Sequence, residues 1–126
     1  MFKAVHHVAI IAGDYPRSLA FYRDTLGFTI LAEHFREDRQ SWKGDLRHGL
    51  VQIELFSFPE PPPRPSRPEA AGLRHLALAV DDVVAAAQVL AARGAAVEPI
   101  RVDPYTGCRF TFLADPDGLP IELYEA

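Results

Sequence analysis

The chain has 126 residues, 48% hydrophobic and 24% charged, with a formal net charge of −4. That is enough apolar material for one domain of ordinary size, and the acidic balance with interleaved Arg36-Glu37-Asp38-Arg39 argues against nucleic acid or an anionic membrane surface as partner. The single Cys108 excludes an internal disulfide and fits a reducing, cytoplasmic setting, a strand by residue 5 leaves no room for a signal peptide, and no apolar run reaches the roughly 20 residues that span a bilayer.

Val5 to Ala12 reads as a buried strand. Asp14 is then placed to cap a helix, with Pro16 in its first turn, an apolar stripe of Tyr15, Leu19, Tyr22 and Leu26, and Gly27 as the left-handed stop. Phe28 to Arg36 reads as a second strand. Arg36 to Asp45 is polar, carries the only tryptophan, Trp42, and has room for a short third strand. Leu50 to Phe58 is a strand carrying Glu54. Residues 1–58 form a first module, and residues 59–72 a linker holding six of the eleven prolines, expected to run extended.

Residues 73–126 repeat the pattern. Leu73 to Val80 is a strand, Asp82 caps a helix running to Arg93, and Gly94 ends it. Val97 to Val102 is the next strand. Arg109 to Ala114 and Leu119 to Tyr124 form a hairpin around Asp115-Pro116-Asp117-Gly118, a type I turn by its proline and glycine positions. Val83, Ala87 and Leu90 fall 68 residues after Tyr15, Leu19 and Tyr22. The fold class expected is α+β: two βαβββ modules whose curved mixed sheets enclose a metal site.

The repeat is sharpest at four polar residues. His7 precedes Glu54 by 47 residues, and His75 precedes Glu122 by the same 47. Each Glu sits in a matching tetrapeptide, Ile53-Glu54-Leu55-Phe56 and Ile121-Glu122-Leu123-Tyr124. Strand alternation puts His7 with Val5, Ala9 and Ile11, and His75 with Leu73, Ala77 and Ala79, while bulky aliphatic residues take the opposite faces. Burying two unpaired carboxylates together is costly, and a divalent cation removes that cost. His7, Glu54, His75 and Glu122 are therefore the expected metal ligands. Their mixed N and O donors suit Ni²⁺, Zn²⁺ or Co²⁺, with Mn²⁺ or Fe²⁺ also compatible. By the same alternation His6 faces away from His7 and reads as structural or surface. His34 and His48, without repeat partners, read as surface residues.

These residues, with Ser18-Leu19-Ala20-Phe21-Tyr22, Leu26-Gly27-Phe28 and Asp115-Pro116-Asp117-Gly118, resemble the vicinal oxygen chelate superfamily over essentially the whole chain. That superfamily includes glyoxalase I, fosfomycin-resistance proteins, extradiol dioxygenases, methylmalonyl-CoA epimerase and bleomycin-resistance proteins. The order His, Glu, His, Glu resembles the glyoxalase I metal set. The stretches Trp42-Lys43-Gly44-Asp45 and Asp103 to Phe112 are similar to a small glyoxalase-like bacterial branch. The resemblance implies a lyase or isomerase in which the metal holds two adjacent substrate oxygens and stabilises an enediolate, with Glu122 as first choice of base and Glu54 as second. It implies a small-molecule substrate and a homodimer, with ligands drawn from one chain or from two. Epimerisation through an enolate and non-catalytic drug binding are the rival readings. Glutathione-using glyoxalase I enzymes carry an Arg four residues after the first ligand His; here that position is Ile11. Lys43, Arg39, Tyr105 and Arg109 are the available contacts for a substrate anion.

Overall fold

The computed structural model describes all residues, Met1–Ala126, and the chain divides into two compact units, Met1–Pro63 and Arg64–Ala126. The division falls inside the proline-rich segment.

The first unit contains β1 (Val8–Ala12), α1 (Tyr15–Ala20) continued by a π-helical turn over Phe21–Thr25, β2 (Thr29–Arg36), a 3-10 turn over Glu37–Arg39, β3 (Ser41–His48) and β4 (Val51–Ser57). Its sheet has the order β1-β4-β3-β2, with β1 and β4 parallel and the other pairs antiparallel. The second unit contains β5 (Leu76–Val80), α2 (Val83–Ala92), β6 (Arg101–Val102), β7 (Arg109–Ala114) and β8 (Pro120–Glu125). Its order is β5-β8-β7-β6, with β5 and β8 parallel. Each unit is thus the same four-stranded mixed sheet with one helical segment, an α+β design written twice.

Local chemistry accounts for the helix ends. The Arg17 N–H donates to Asp14 Oδ1 at 3.1 Å, and the Ala85 N–H donates to Asp82 Oδ1 at 3.1 Å, so both acids cap as expected. Gly27 and Gly94 take φ values of 82° and 91°, the left-handed stops for which glycine carries no Cβ penalty. In the Asp115–Gly118 turn the Gly118 N–H donates to the Asp115 carbonyl at 3.0 Å. Asp115 Oδ1 also accepts from the N–H groups of Asp117 and Leu119, both at 2.9 Å.

Four expectations need correction. The strands begin at Val8 and Leu76, so His7 and His75 sit just before them rather than inside. The third strand is not short: β3 runs eight residues, Ser41–His48. The segment expected as a strand over 97–102 pairs only at Arg101 and Val102. Pro99 interrupts it, because proline cannot donate to a ladder. Finally, the helix of the first unit widens into a π turn, with the Leu26 N–H reaching back to the Phe21 carbonyl at 3.1 Å.

In each sheet the bulky aliphatic residues face the helical segment. Ile10, Leu46, Ile53 and Leu55 are buried in the first unit with Tyr15, Tyr22 and Phe28; Leu113, Ile121 and Leu123 are buried in the second with Val83 and Leu90. Each such aliphatic side chain contributes roughly 1.5–3 kcal/mol of burial. One polar residue within the second core, Thr111, is satisfied by donating its hydroxyl to the Glu98 carbonyl at 2.8 Å. The opposite, open face of each sheet carries the polar repeat.

Candidate metal centre

Register places the two glutamates identically. Ala9 pairs with Glu54 across β1 and β4, and Ala77 pairs with Glu122 across β5 and β8. The small alanines leave room above the sheet for the residue that enters each strand. That residue is the histidine. His7 Nε2 lies 3.3 Å from Glu54 Oε2, and His75 Nε2 lies 3.7 Å from Glu122 Oε1. The carboxylates are the more enclosed members, at 15% and 14% side-chain exposure. The structure thus brings together His7 with Glu54 in the first unit and His75 with Glu122 in the second. Within either unit, no group of three or more His, Cys, Asp or Glu stands in position to hold a metal.

The first pair has the spacing of two donors on one cation. Two donors about 2.1 Å from one cation stand about 3.0 Å apart at octahedral angles and about 3.4 Å apart at tetrahedral ones. The first pair matches that span and the second is slightly wider. His75 Nδ1 is buried without a hydrogen-bond partner. Because Nε2 is the atom that faces Glu122, this orphan concerns how the ring is held, and His75 lacks the contact at its other nitrogen that His6 gives His7.

The surroundings of the two glutamates differ. Across β3 and β4, Asp45 pairs with Glu54 and Lys43 with Phe56. Lys43 Nζ donates to Asp45 Oδ1 at 2.9 Å and lies 3.7 Å from Glu54 Oε1. The Asp45 hydrogen bond, against the cost of desolvation, holds the Lys43 ammonium above the usual lysine range. In the second unit the residue paired with Glu122 is Phe112, and Phe110 pairs with Tyr124. His75 meets Phe112 edge to face at 5.1 Å between ring centroids, and Phe110 stacks on Tyr124 at 6.3 Å. Lys43 and Asp45 therefore flank one glutamate, while aromatic rings flank the other, with the Arg101 guanidinium over Phe110 and Phe112 at 4.8 and 5.7 Å. Asp45 is the residue that sequence reasoning missed; its signal is the alternation Lys43, Asp45, Arg47 on one face of a strand that was expected to be short.

His6 departs from expectation. Its Nδ1 lies 2.9 Å from His7 Nδ1, the two rings meeting edge to face, so it partners His7 instead of facing away. Alternation does not apply, because neither histidine is in the strand. His34 and His48 are exposed. Of the proposed anion contacts, Lys43 joins the Glu54 cluster, while Arg109 is committed to Glu125 through bonds of 3.0 and 2.8 Å. Arg39 is exposed. Tyr105 is 95% exposed at the tip of a loop closed by the Asp103 N–H donating to the Cys108 carbonyl at 2.8 Å. Tyr124 ties that loop to β8 through Thr106 Oγ1 and by donating to Asp103 Oδ2 at 3.0 Å. Ile11 is 54% exposed on the open side of β1, where it pairs with Phe56.

Two βαβββ units of this topology make the vicinal oxygen chelate fold. A model of the Glyoxalase/Bleomycin resistance protein/Dioxygenase superfamily matches residues 4–123, and the chain belongs to that superfamily. It is 64% identical to the uncharacterized protein YaeR of Escherichia coli K12 over 124 residues, 98% of this chain and 96% of that one. It is 56% identical to the uncharacterized protein YwkD of Bacillus subtilis over 126 residues, 99% and 98% of the two chains. At greater distance, 32% identity over 142 residues links it to a 2-epi-5-epi-valiolone epimerase of an Actinomyces species, covering 95% of this chain and 78% of the epimerase. The solved structure of a glyoxalase family protein from Enterococcus faecalis superposes with a TM-score of 0.94 at 46% identity, over 98% of each chain. The superfamily includes lyases and epimerases, and its members generally bind a divalent metal and small molecules. No helix of this chain is long and apolar enough to cross a membrane.

Proposed function

We propose that His7, Glu54, His75 and Glu122 hold one divalent cation, Ni²⁺, Zn²⁺ or Co²⁺ before Mn²⁺ or Fe²⁺, and that the protein is a lyase or isomerase of glyoxalase I type. The observation that carries this reading is the pairing of each histidine with its glutamate at the same register in both units. Each pair supplies two donors, and the other half of the site comes from the second pair, of the same chain or of a second copy in a homodimer.

A divalent cation held there supplies Lewis-acid stabilisation of negative charge developing on a substrate oxygen. The chain's residues do the rest. Glu122 takes the proton from the carbon beside the carbonyl of a 2-oxoaldehyde hemithioacetal and returns it to the neighbouring carbon. The aromatic setting of Phe110, Phe112 and Tyr124 keeps water away from that carboxylate and offers a flat apolar surface to the substrate. Glu54, at 3.3 Å from His7 against 3.7 Å in the second pair, acts as ligand, with a secondary claim on the base role. His7 and His75 would hold the cation beside the carboxylates through their Nε2 atoms.

An epimerase reading has a specific support in the 32% identical relative; it shares the proton removal, with a proton returned to the other face of the same carbon. Assay of protein reconstituted with Ni²⁺, Co²⁺ or Zn²⁺ against methylglyoxal and a panel of thiols separates them. Turnover with a thiol supports the glyoxalase reading. Metal binding without turnover on any thiol transfers the proposal to epimerisation or to non-catalytic small-molecule binding.

A further inference from the structure

Asp45 and Lys43 have no counterpart in the second unit, where Phe112 and Phe110 take the equivalent places beside Glu122 and Tyr124. The ammonium of Lys43 is shared unequally. It makes a full hydrogen bond to Asp45 at 2.9 Å and stands off Glu54 at 3.7 Å. Side-chain exposures are 30% for Lys43, 21% for Asp45 and 15% for Glu54, so water screens these contacts only in part.

From this we infer that Asp45 is a positioning residue: it draws the Lys43 ammonium off Glu54 and keeps that carboxylate free for a cation. The inference rests on the proposed metal-ligand role of Glu54. Glu54 already offers Oε2 to His7. If Lys43 closed on Oε1 to hydrogen-bond distance, both oxygens would be engaged and the ammonium would compete with a metal for the same lone pairs. Asp45 removes that competition while leaving Lys43 close enough to neutralise the local excess of negative charge. The second unit differs: the ion pair of Glu122 is with His75, and the nearby Arg101 guanidinium lies over the rings of Phe110 and Phe112 at 4.8 and 5.7 Å from their centroids.

The test is Co²⁺ affinity, measured by competition with a chromophoric chelator, for wild type, Asp45→Asn, Lys43→Met and the double variant. Asp45→Asn releases Lys43 onto Glu54 and weakens Co²⁺ binding by about tenfold or more, the range seen when outer partners of metal ligands are altered. Lys43→Met binds at least as tightly as wild type. The double variant recovers most of the affinity that Asp45→Asn loses, because the competitor is gone. The loss in Asp45→Asn persists at about 1 M NaCl, where the screening length is about 3 Å and a through-space charge effect fades. Thermal melting of the metal-free proteins checks that all four are folded.

Unchanged affinity in Asp45→Asn overturns the inference, as does a double variant no better than Asp45→Asn, weaker binding by Lys43→Met, or a loss that vanishes at high salt. Wild-type protein that binds no Co²⁺ would instead sink the metal reading beneath it. The two failures are therefore distinguishable.

Discussion

His6 Nδ1 lies 2.9 Å from His7 Nδ1, which leaves the Nε2 edge of His7 turned to Glu54. One ring nitrogen donates and the other accepts; with His7 as the donor the contact holds the ring's angle and leaves its Nε2 lone pair free. Histidines that bind metals through one nitrogen are commonly held by a hydrogen bond at the other. His6→Ala should therefore lower divalent-metal affinity roughly tenfold while leaving the melting temperature of the metal-free protein nearly unchanged. Isothermal titration with Co²⁺ and a thermal melt measure the two effects. An equal affinity in the variant would make the contact incidental.

The two halves of the chain were legible in the sequence to different depths. The spacing of 47 residues, the caps at Asp14 and Asp82 and the glycine stops all act over a few residues or repeat outright, so they show in one dimension. The length of β3 was hidden. One face carries the polar Ser41, Lys43, Asp45 and Arg47, while Gly44 and Trp42 break the apolar row on the other, so no alternation of the usual kind appears. His6 was misplaced for a related reason. Alternation holds only inside a strand, and β1 starts one residue after His7.

Gly44 shows what β3 demands of the helix side. A Cβ at this position would stand 2.5 Å from the Tyr15 hydroxyl oxygen. Tyr15 cannot retreat freely: it is buried, its hydroxyl donates to Glu33 Oε1 at 2.8 Å, and its ring stacks on Trp42 at 5.8 Å. Burial, followed by the Glu33 hydrogen bond, pushes its phenol well above the ordinary value, so it remains a donor across the working pH range. Gly44→Ala should destabilise the protein by about 1–3 kcal/mol, read from chemical denaturation. Tyr15→Phe combined with Gly44→Ala should recover part of that loss, since it removes the clashing oxygen.

Glu125 links strand and helix in the second unit. It accepts from Arg109 at 3.0 and 2.8 Å and from the Val83 N–H at 3.0 Å. The Arg109 bonds first, then the Val83 N–H at the start of α2, hold its carboxyl below the usual glutamate range. A carboxyl depressed in the folded state favours folding above its unfolded pKa, and that contribution is lost as pH falls through the folded value. The melting temperature of wild type should therefore drop as pH is lowered from about 6 to about 3. Glu125→Gln should start lower near neutrality and show a shallower acid slope. Parallel slopes for the two proteins would remove Glu125 from the account.

The claim at the centre is that one cation is held by two His–Glu pairs. Metal analysis after reconstitution with Ni²⁺ or Co²⁺ and removal of excess ion tests it most directly, on wild type and on His7→Ala, Glu54→Gln, His75→Ala and Glu122→Gln. The account predicts about one ion per chain in wild type and a marked loss of affinity in every variant, with variants of the first unit and the second affected alike. Undiminished binding in Glu54→Gln and His75→Ala would contradict it.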